Sequence, residues 1–168
     1  MKKILLAALL LALAVHATAA TLAGRVVGVS DGDTVTILTA QNRQVKVRLS
    51  GIDAPEKKQP FGTFSRQTLA RQVFGQAVTV QWTKLDRYGR VVGKIEIDGV
   101  DANLEQVREG SAWVYIQYLR ELPPEDRKLY LEAEHQAQLE RRGLWRDSDP
   151  EPPWQWRREA RTHRPHGG

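Results

Sequence analysis

The chain has 168 residues, no cysteine and a formal net charge of +5, so no disulfide can hold it and its stability must come from a core or a bound ion. The surplus charge sits at the ends: acids and bases are equal in number between residues 20 and 153, while 154–168 carries four arginines against one glutamate. Net charge therefore does not mark the body of the chain as a nucleic-acid binder, and the placement of charges has to decide.

Residues 1–19 begin with Lys2 and Lys3, continue as an apolar run over 4–15 and end in Ala17-Thr18-Ala19. This reads as a secretory signal peptide and predicts export, to the periplasm or beyond. The run is shorter than the roughly 20 residues of a membrane span, and an N-terminal anchor helix is the alternative. Residues 20–168 amount to one domain's worth of chain.

The first two-thirds reads mainly as strands. A short apolar run at 24–29 ends in the turn signal "SDGD". Alternation predicts strands at 34–39 and 44–50, the second through Val45, Val47 and Leu49. A helix is predicted over 62–74, with Phe64, Leu69, Val73 and Phe74 near one face and Gly75 as its stop. Two more strands, 77–82 and 91–97, flank "TKLDRYGR". A short helix at about 103–109 ends at Gly110. The longest helix, 124–142, opens on two prolines, carries Leu129, Tyr130, Ala133 and Ala137 as its apolar stripe, and ends at Gly143. The pattern predicts an α+β fold: a small closed antiparallel barrel of five strands with helices. The domain is expected over 20–145. The segment 146–168 is expected to be an extended tail, disordered at least near its end.

Three polar stretches carry chemistry. In "DGDTV", Asp33 shares its strand parity with Val35 and Ile37, which face the core. A carboxylate leaning that way is costly unless something pairs with it. A plain hairpin turn is the competing reading. In "VRLSGIDAPE", a strand ends and delivers Asp53 and Glu56 around Pro55, with Arg48 on the face opposite Val47 and Leu49. Each of these alone reads as a turn or a solvated strand residue. Together, two aspartates from neighbouring strand ends and a carbonyl in the 53–55 bend would suit a hard cation such as Ca²⁺, with water completing the shell. The lack of cysteine, and histidines standing apart from the acids, argue against zinc. In "DRYGR", a hairpin turn, Arg87 and Arg90 flank Tyr88. Arginine forks bind phosphate at two points and an aromatic face can stack on a base or sugar. Arg48 and Arg90 could thus clamp one phosphate, and a nearby carboxylate could serve as general base.

These three motifs, in this order, resemble the thermonuclease (staphylococcal nuclease-like) family over about 24–145. The resemblance implies a five-stranded OB-type barrel with three helices and Ca²⁺-dependent hydrolysis of DNA and RNA, leaving 3′-phosphates. It implies that Asp33, Asp53 and the Ala54 carbonyl bind the metal. It implies that Glu56 orients or deprotonates the attacking water and that Arg48 and Arg90 bind phosphate. The linker "KKQPFG" is short where the family's best-known member has a long loop. Two tyrosines often flank the nucleotide; counted from Gly110, those positions fall on Ile116 and Tyr118, leaving Arg87, Tyr88 and Tyr118 as expected substrate contacts. Arg108 and Glu140 resemble a family pair tying helix to helix, and Glu134 is expected to face inward. The charge run "LERRG" and His135 are expected on a solvated surface. "PPWQWR" resembles a tail of many bacterial members. Either Trp154 and Trp156 with Arg157 and Arg158 stack on and neutralise nucleic acid, or the tryptophans dock on the domain, docking being the favoured reading. A monomer is the default expectation. The competing functional reading is a barrel that has lost catalysis and only holds nucleic acid.

Overall fold

The computed structural model describes residues 20–162. Residues 1–19, expected to be a signal peptide, and His163 and His166 of the expected tail lie outside the described residues. Five strands make the main sheet: β1 (Ala20–Asp31), β2 (Thr34–Leu38), β3 (Gln44–Leu49), β5 (Ala77–Leu85) and β6 (Val91–Ile97). Short strands β4 (Ile52–Asp53) and β8 (Trp113–Val114) pair with each other, and β7 (Val100–Asp101) extends the edge at β6. The helices are α1 (Gly62–Val73), α2 (Ala102–Arg108), α3 (Pro124–Leu139) and α4 (Pro153–Thr162).

The strand order β3-β2-β1-β5-β6 is antiparallel throughout, and β3 then pairs with β6 to close the barrel. That closing pair is parallel, with Val47 opposite Val91 and Arg48 opposite Val92. The barrel is mixed, not antiparallel as expected. Five strands of alternating direction end with the first and last running the same way, so an odd-numbered ring of this kind cannot close antiparallel. Alternation puts Val35, Ile37, Val47 and Leu49 in the core, each at most 1% exposed. Arg48, between the last two, is left facing the cleft.

α1 buries Leu69 and Val73, while Phe74 is exposed. α2 lies between α1 and α3 and presents two fully buried amides to the barrel. Asn103 donates to the carbonyls of Ser50 (3.0 Å) and Gly93 (3.1 Å) and accepts from the Ile95 amide. Gln106 donates to the carbonyls of Gly32 (2.8 Å) and Ser65 (3.2 Å). Buried backbone groups in turns require such partners. The two amides fix the turns that precede Asp33 and Asp53.

The buried face of α3 is Asp126, Tyr130, Ala133 and Ala137, spaced four, three and four residues apart. Leu129, expected there, is exposed instead. Asp126 takes the place on the stripe because Lys94 pairs with it at 3.0 Å. The expected tie between Arg108 and Glu140 is also absent. Arg108 pairs with Glu105 one turn back, and Glu140 pairs with Arg142. The two helix ends meet through backbone: the Leu144 amide donates to the Gly110 carbonyl at 2.8 Å. Gly143 has φ +51°, and a Cβ there would sit 2.1 Å from the Gly110 oxygen. Only glycine tolerates both the angle and the approach. Glu134 does face inward and accepts from the Val114 amide at 2.8 Å.

The segment expected to be extended is helical over Pro153–Thr162, a fourth α-helix beyond the three expected. Its start buries Pro153. Trp154 stacks flat on Tyr115 (5.7 Å, 3°) and edge-on against Trp113, which itself packs on Trp145. The aromatic contacts supply the core that a polar decapeptide lacks on its own.

Candidate active site

A cleft of about 780 Å³ opens where the ends of β2, β3 and β4 meet the β5–β6 hairpin and α4. At its floor one guanidinium spans two acids. Arg48 meets Asp33 Oδ2 through Nη1 at 2.7 Å and Asp53 Oδ1 through Nη2 at 2.9 Å. Asp33, buried as its strand parity suggested, also accepts from the Thr34 hydroxyl and from the Ala54 amide, both at 2.9 Å. Burial weakens the charge on Arg48, but the two carboxylates outweigh it and raise its pKa. Asp53 is 1% exposed, and burial raises its pKa although Arg157 and Arg48 pull the other way.

Asp31, which the sequence pattern does not single out, also lines the cleft. Burial and the neighbouring Asp33 push it up to about 6. Glu56 comes just after the Pro55 bend, with its amide donating to the Gln59 side chain at 3.0 Å. Gln59 in turn donates to the Glu151 carbonyl at 2.6 Å, tying this loop to the segment that leads into α4.

α4 places Arg157 against the same acids. It meets Asp53 Oδ2 at 2.7 Å and Glu56 Oε1 at 2.9 Å. Burial disfavours its charge, but the bonds to Asp53 and Glu56 win and raise its pKa. The sequence offers Arg157 as a nucleic-acid contact of the tail, but nothing in it signals the pairing with Asp53 and Glu56, about a hundred positions away.

The opposite wall is the β5–β6 hairpin. Asp86 accepts from the Arg90 and Tyr88 amides and from Arg90 Nε, the last at 2.7 Å. Burial works against its charge, but these bonds outweigh it and lower its pKa. They aim Arg90 along the cleft, with its guanidinium 5.4 Å from the Tyr88 ring centre. Arg87 donates to the Tyr88 hydroxyl at 2.7 Å, and Tyr88 is 68% exposed at the rim.

Two tyrosines do flank the cleft, at Tyr115 and Tyr118. Ile116 points to solvent and does not line it. The expected position was one residue off because β8 ends at Val114 and the chain enters a 3₁₀ turn at Ile116, a change of period with no signature in six residues. Burial, and then the nearby Asp53, raise the pKa of Tyr115.

Residues 46–147 match the family described as staphylococcal nuclease homologue. The chain belongs to that family. It is 44% identical to an "Uncharacterized endonuclease" of Escherichia coli over 137 residues, covering 80% of this chain and 84% of that protein. It is 42% identical to a protein of the same description from Haemophilus influenzae over 139 residues, covering 83% and 75%. It is 40% identical to a "Micrococcal nuclease" of Shigella flexneri over 149 residues, covering 83% and 82%. In this staphylococcal nuclease homologue, α4 lies beyond the matched family segment.

The donor atoms at the cleft floor are all oxygen, which suits a hard cation rather than zinc. Among the described residues no group of three or more His, Cys, Asp or Glu is poised around one metal position. Asp33, Asp53 and Ala54, expected from the family resemblance to hold a cation, all line this floor. Both Asp53 oxygens now accept from arginines, so a cation bound there must take an oxygen from one of them. The Asp33 oxygens accept too, Oδ1 from Thr34 and Oδ2 from the Ala54 amide, so the carboxylates are of the type that suits a hard cation but would have to exchange these partners for it.

Proposed function

We propose that this chain is an exported, Ca²⁺-dependent endonuclease that hydrolyses DNA and RNA with little sequence preference and leaves 3′-phosphate ends. As a staphylococcal nuclease homologue it is a nuclease; the ion, the breadth of substrate and the location are the further reading. The observation that carries it is the Arg48 guanidinium bridging Asp33 and Asp53, with Glu56 and Arg90 on the walls of the same cleft.

The chemistry comes from these positions. Arg48 and Arg90 would hold the non-bridging oxygens of one phosphodiester and neutralise the charge that builds as water adds to phosphorus. Glu56 would take the proton from that water as its oxygen bonds to phosphorus; the bond from phosphorus to the 5′-oxygen would break, and that oxygen would take up a proton from solvent and leave as the 5′-hydroxyl. Arg157 occupies Oε1 of Glu56 and so leaves Oε2 for the water. Bound Ca²⁺, held by Asp33, Asp53 and the Ala54 carbonyl, would supply further positive charge at the phosphoryl oxygens. Tyr88 and Tyr118 would face the sugar and base, with Arg87 beside them.

Digestion of plasmid DNA and of RNA, each with Ca²⁺ and with chelator, tests the reading. Cleavage of both with Ca²⁺ and of neither with chelator is expected. Binding without cutting under every divalent ion would establish instead a barrel that only holds nucleic acid. Export is supported by the 1–19 leader pattern, and the mass of the protein recovered from the periplasm, starting at residue 20, checks it.

A further inference from the structure

The cleft has a third wall that the proposed reaction does not use. Trp154, Arg157, Arg158 and Arg161 all line it from α4. They fall at spacings of three, four and seven from Trp154, one stripe of a helix. Two of the four anchor the helix: Trp154 on Tyr115, and Arg157 on Asp53 and Glu56. Arg158 and Arg161 are exposed and have no ion-pair or hydrogen-bond partner among the described residues.

Most of the other charges in the cleft are matched. Arg48 serves Asp33 and Asp53, Arg90 serves Asp86, and Lys84 serves Glu121. Among the described residues, the cleft-lining cations with no acid partner are therefore Arg87 on the β5–β6 hairpin and Arg158 and Arg161 on α4, the last two within one turn of the helix beside the proposed catalytic groups. Unpaired arginines held in place by an anchored helix suit phosphate, which they bind at two points.

We propose that α4 is a substrate wall, and that Arg158 and Arg161 take backbone phosphates of a single nucleic-acid strand beyond the linkage being cut. The inference rests on the nuclease reading of the same cleft. It assigns a role in affinity for longer strands, separate from the bond-breaking step.

The test is binding of a fluorescein-labelled single-stranded DNA 12-mer in chelator, read by anisotropy at several salt concentrations. R158Q/R161Q should bind about ten-fold or more weakly at low salt. Its log–log salt slope should be shallower by about 1.4, two phosphate contacts at about 0.7 each on a single strand. With Ca²⁺ present, the rise in KM of the variant should grow with strand length from a dinucleotide to the 12-mer. Melting temperatures within a degree or two of wild type exclude unfolding as the cause. Equal affinity and equal slope would overturn the proposal, and so would tighter binding by the variant, which would make α4 an obstacle to substrate. Wild-type cleavage on adding Ca²⁺ reports on the nuclease reading separately, so the two can fail independently.

Discussion

Arg48 and Arg90 differ in how they are held. Arg48 is locked between two buried acids, so its removal takes from Asp33 its ion-pair partner and leaves Asp53 with Arg157 alone, besides costing the phosphate contact. Arg90 pairs with a single acid, Asp86, near the surface and lies over the Tyr88 ring, so its removal bears mainly on phosphate binding. Arg90→Ala is expected to lower kcat on a dinucleotide about 10²–10³-fold, the range for losing one preorganised donor to a developing oxyanion, with little change in melting temperature. A wild-type kcat would refute the clamp. Glu134 offers a pH test. Burial raises its pKa above 4.5, against the pull of the Val114 amide. The folded state then binds the proton more tightly than the unfolded chain, so stability falls as pH rises through that raised value. Glu134→Gln keeps an acceptor for Val114 and removes the buried charge. Its melting temperature in chelator should gain on wild type more at pH 8 than at pH 4, and an equal gain at both would refute the assignment. At this scale Asp33, Asp53, Glu56 and Arg90 are legible as candidates because each sits at a turn, and Arg48 because its parity on β3 sets it opposite Val47 and Leu49, while Asp31 is not. Tyr115 and the pairing of Arg157 are not, because they depend on a change of period and on a docking event.

Elements were readable where one period ran long enough. Alternation marks β2 and β3, as a half-buried barrel strand enforces, whereas β1 shows in the sequence only as a short apolar run over 24–29 within a strand that spans Ala20–Asp31. α3 was found, but its stripe was read with Leu129 where Asp126 stands, because pairing with Lys94 makes a carboxylate acceptable on the buried face. α4 was missed as a helix since prolines and arginines dominate its composition, and aromatic docking, not propensity, orders it. The junction of α2 with the end of α3 rests on Gly110 and Gly143. Gly143→Ala should destabilise the fold by at least about 1–2 kcal/mol from the left-handed angle alone, with the clash on the Gly110 carbonyl adding to it. The urea midpoint reads this out; a midpoint equal to wild type would show that the junction relaxes freely.

For the molecule as a whole, the barrel seam has a consequence in time. β3 and β6 close the ring, bringing residue 47 to residue 91 across α1 and β5, and the ring also needs β1 on β5, which joins residue 25 to residue 77 over a still longer stretch of chain. Arg48 lies on one side of that seam, and Arg90 immediately precedes Val91 on the other. Until the seam shuts, neither arginine can face the other across a phosphate. Contacts this far apart in sequence form slowly, because chain closure must be completed before they reward it. Catalytic competence should therefore be a late clock of refolding. After dilution from urea, Ca²⁺-dependent cleavage should return no earlier than the far-ultraviolet circular dichroism of the strands, and cleavage that outran it would mean the two arginines act before the ring exists. Nascent chains emerging during synthesis would by the same logic stay harmless to nucleic acid until well after residue 91 has cleared the ribosome.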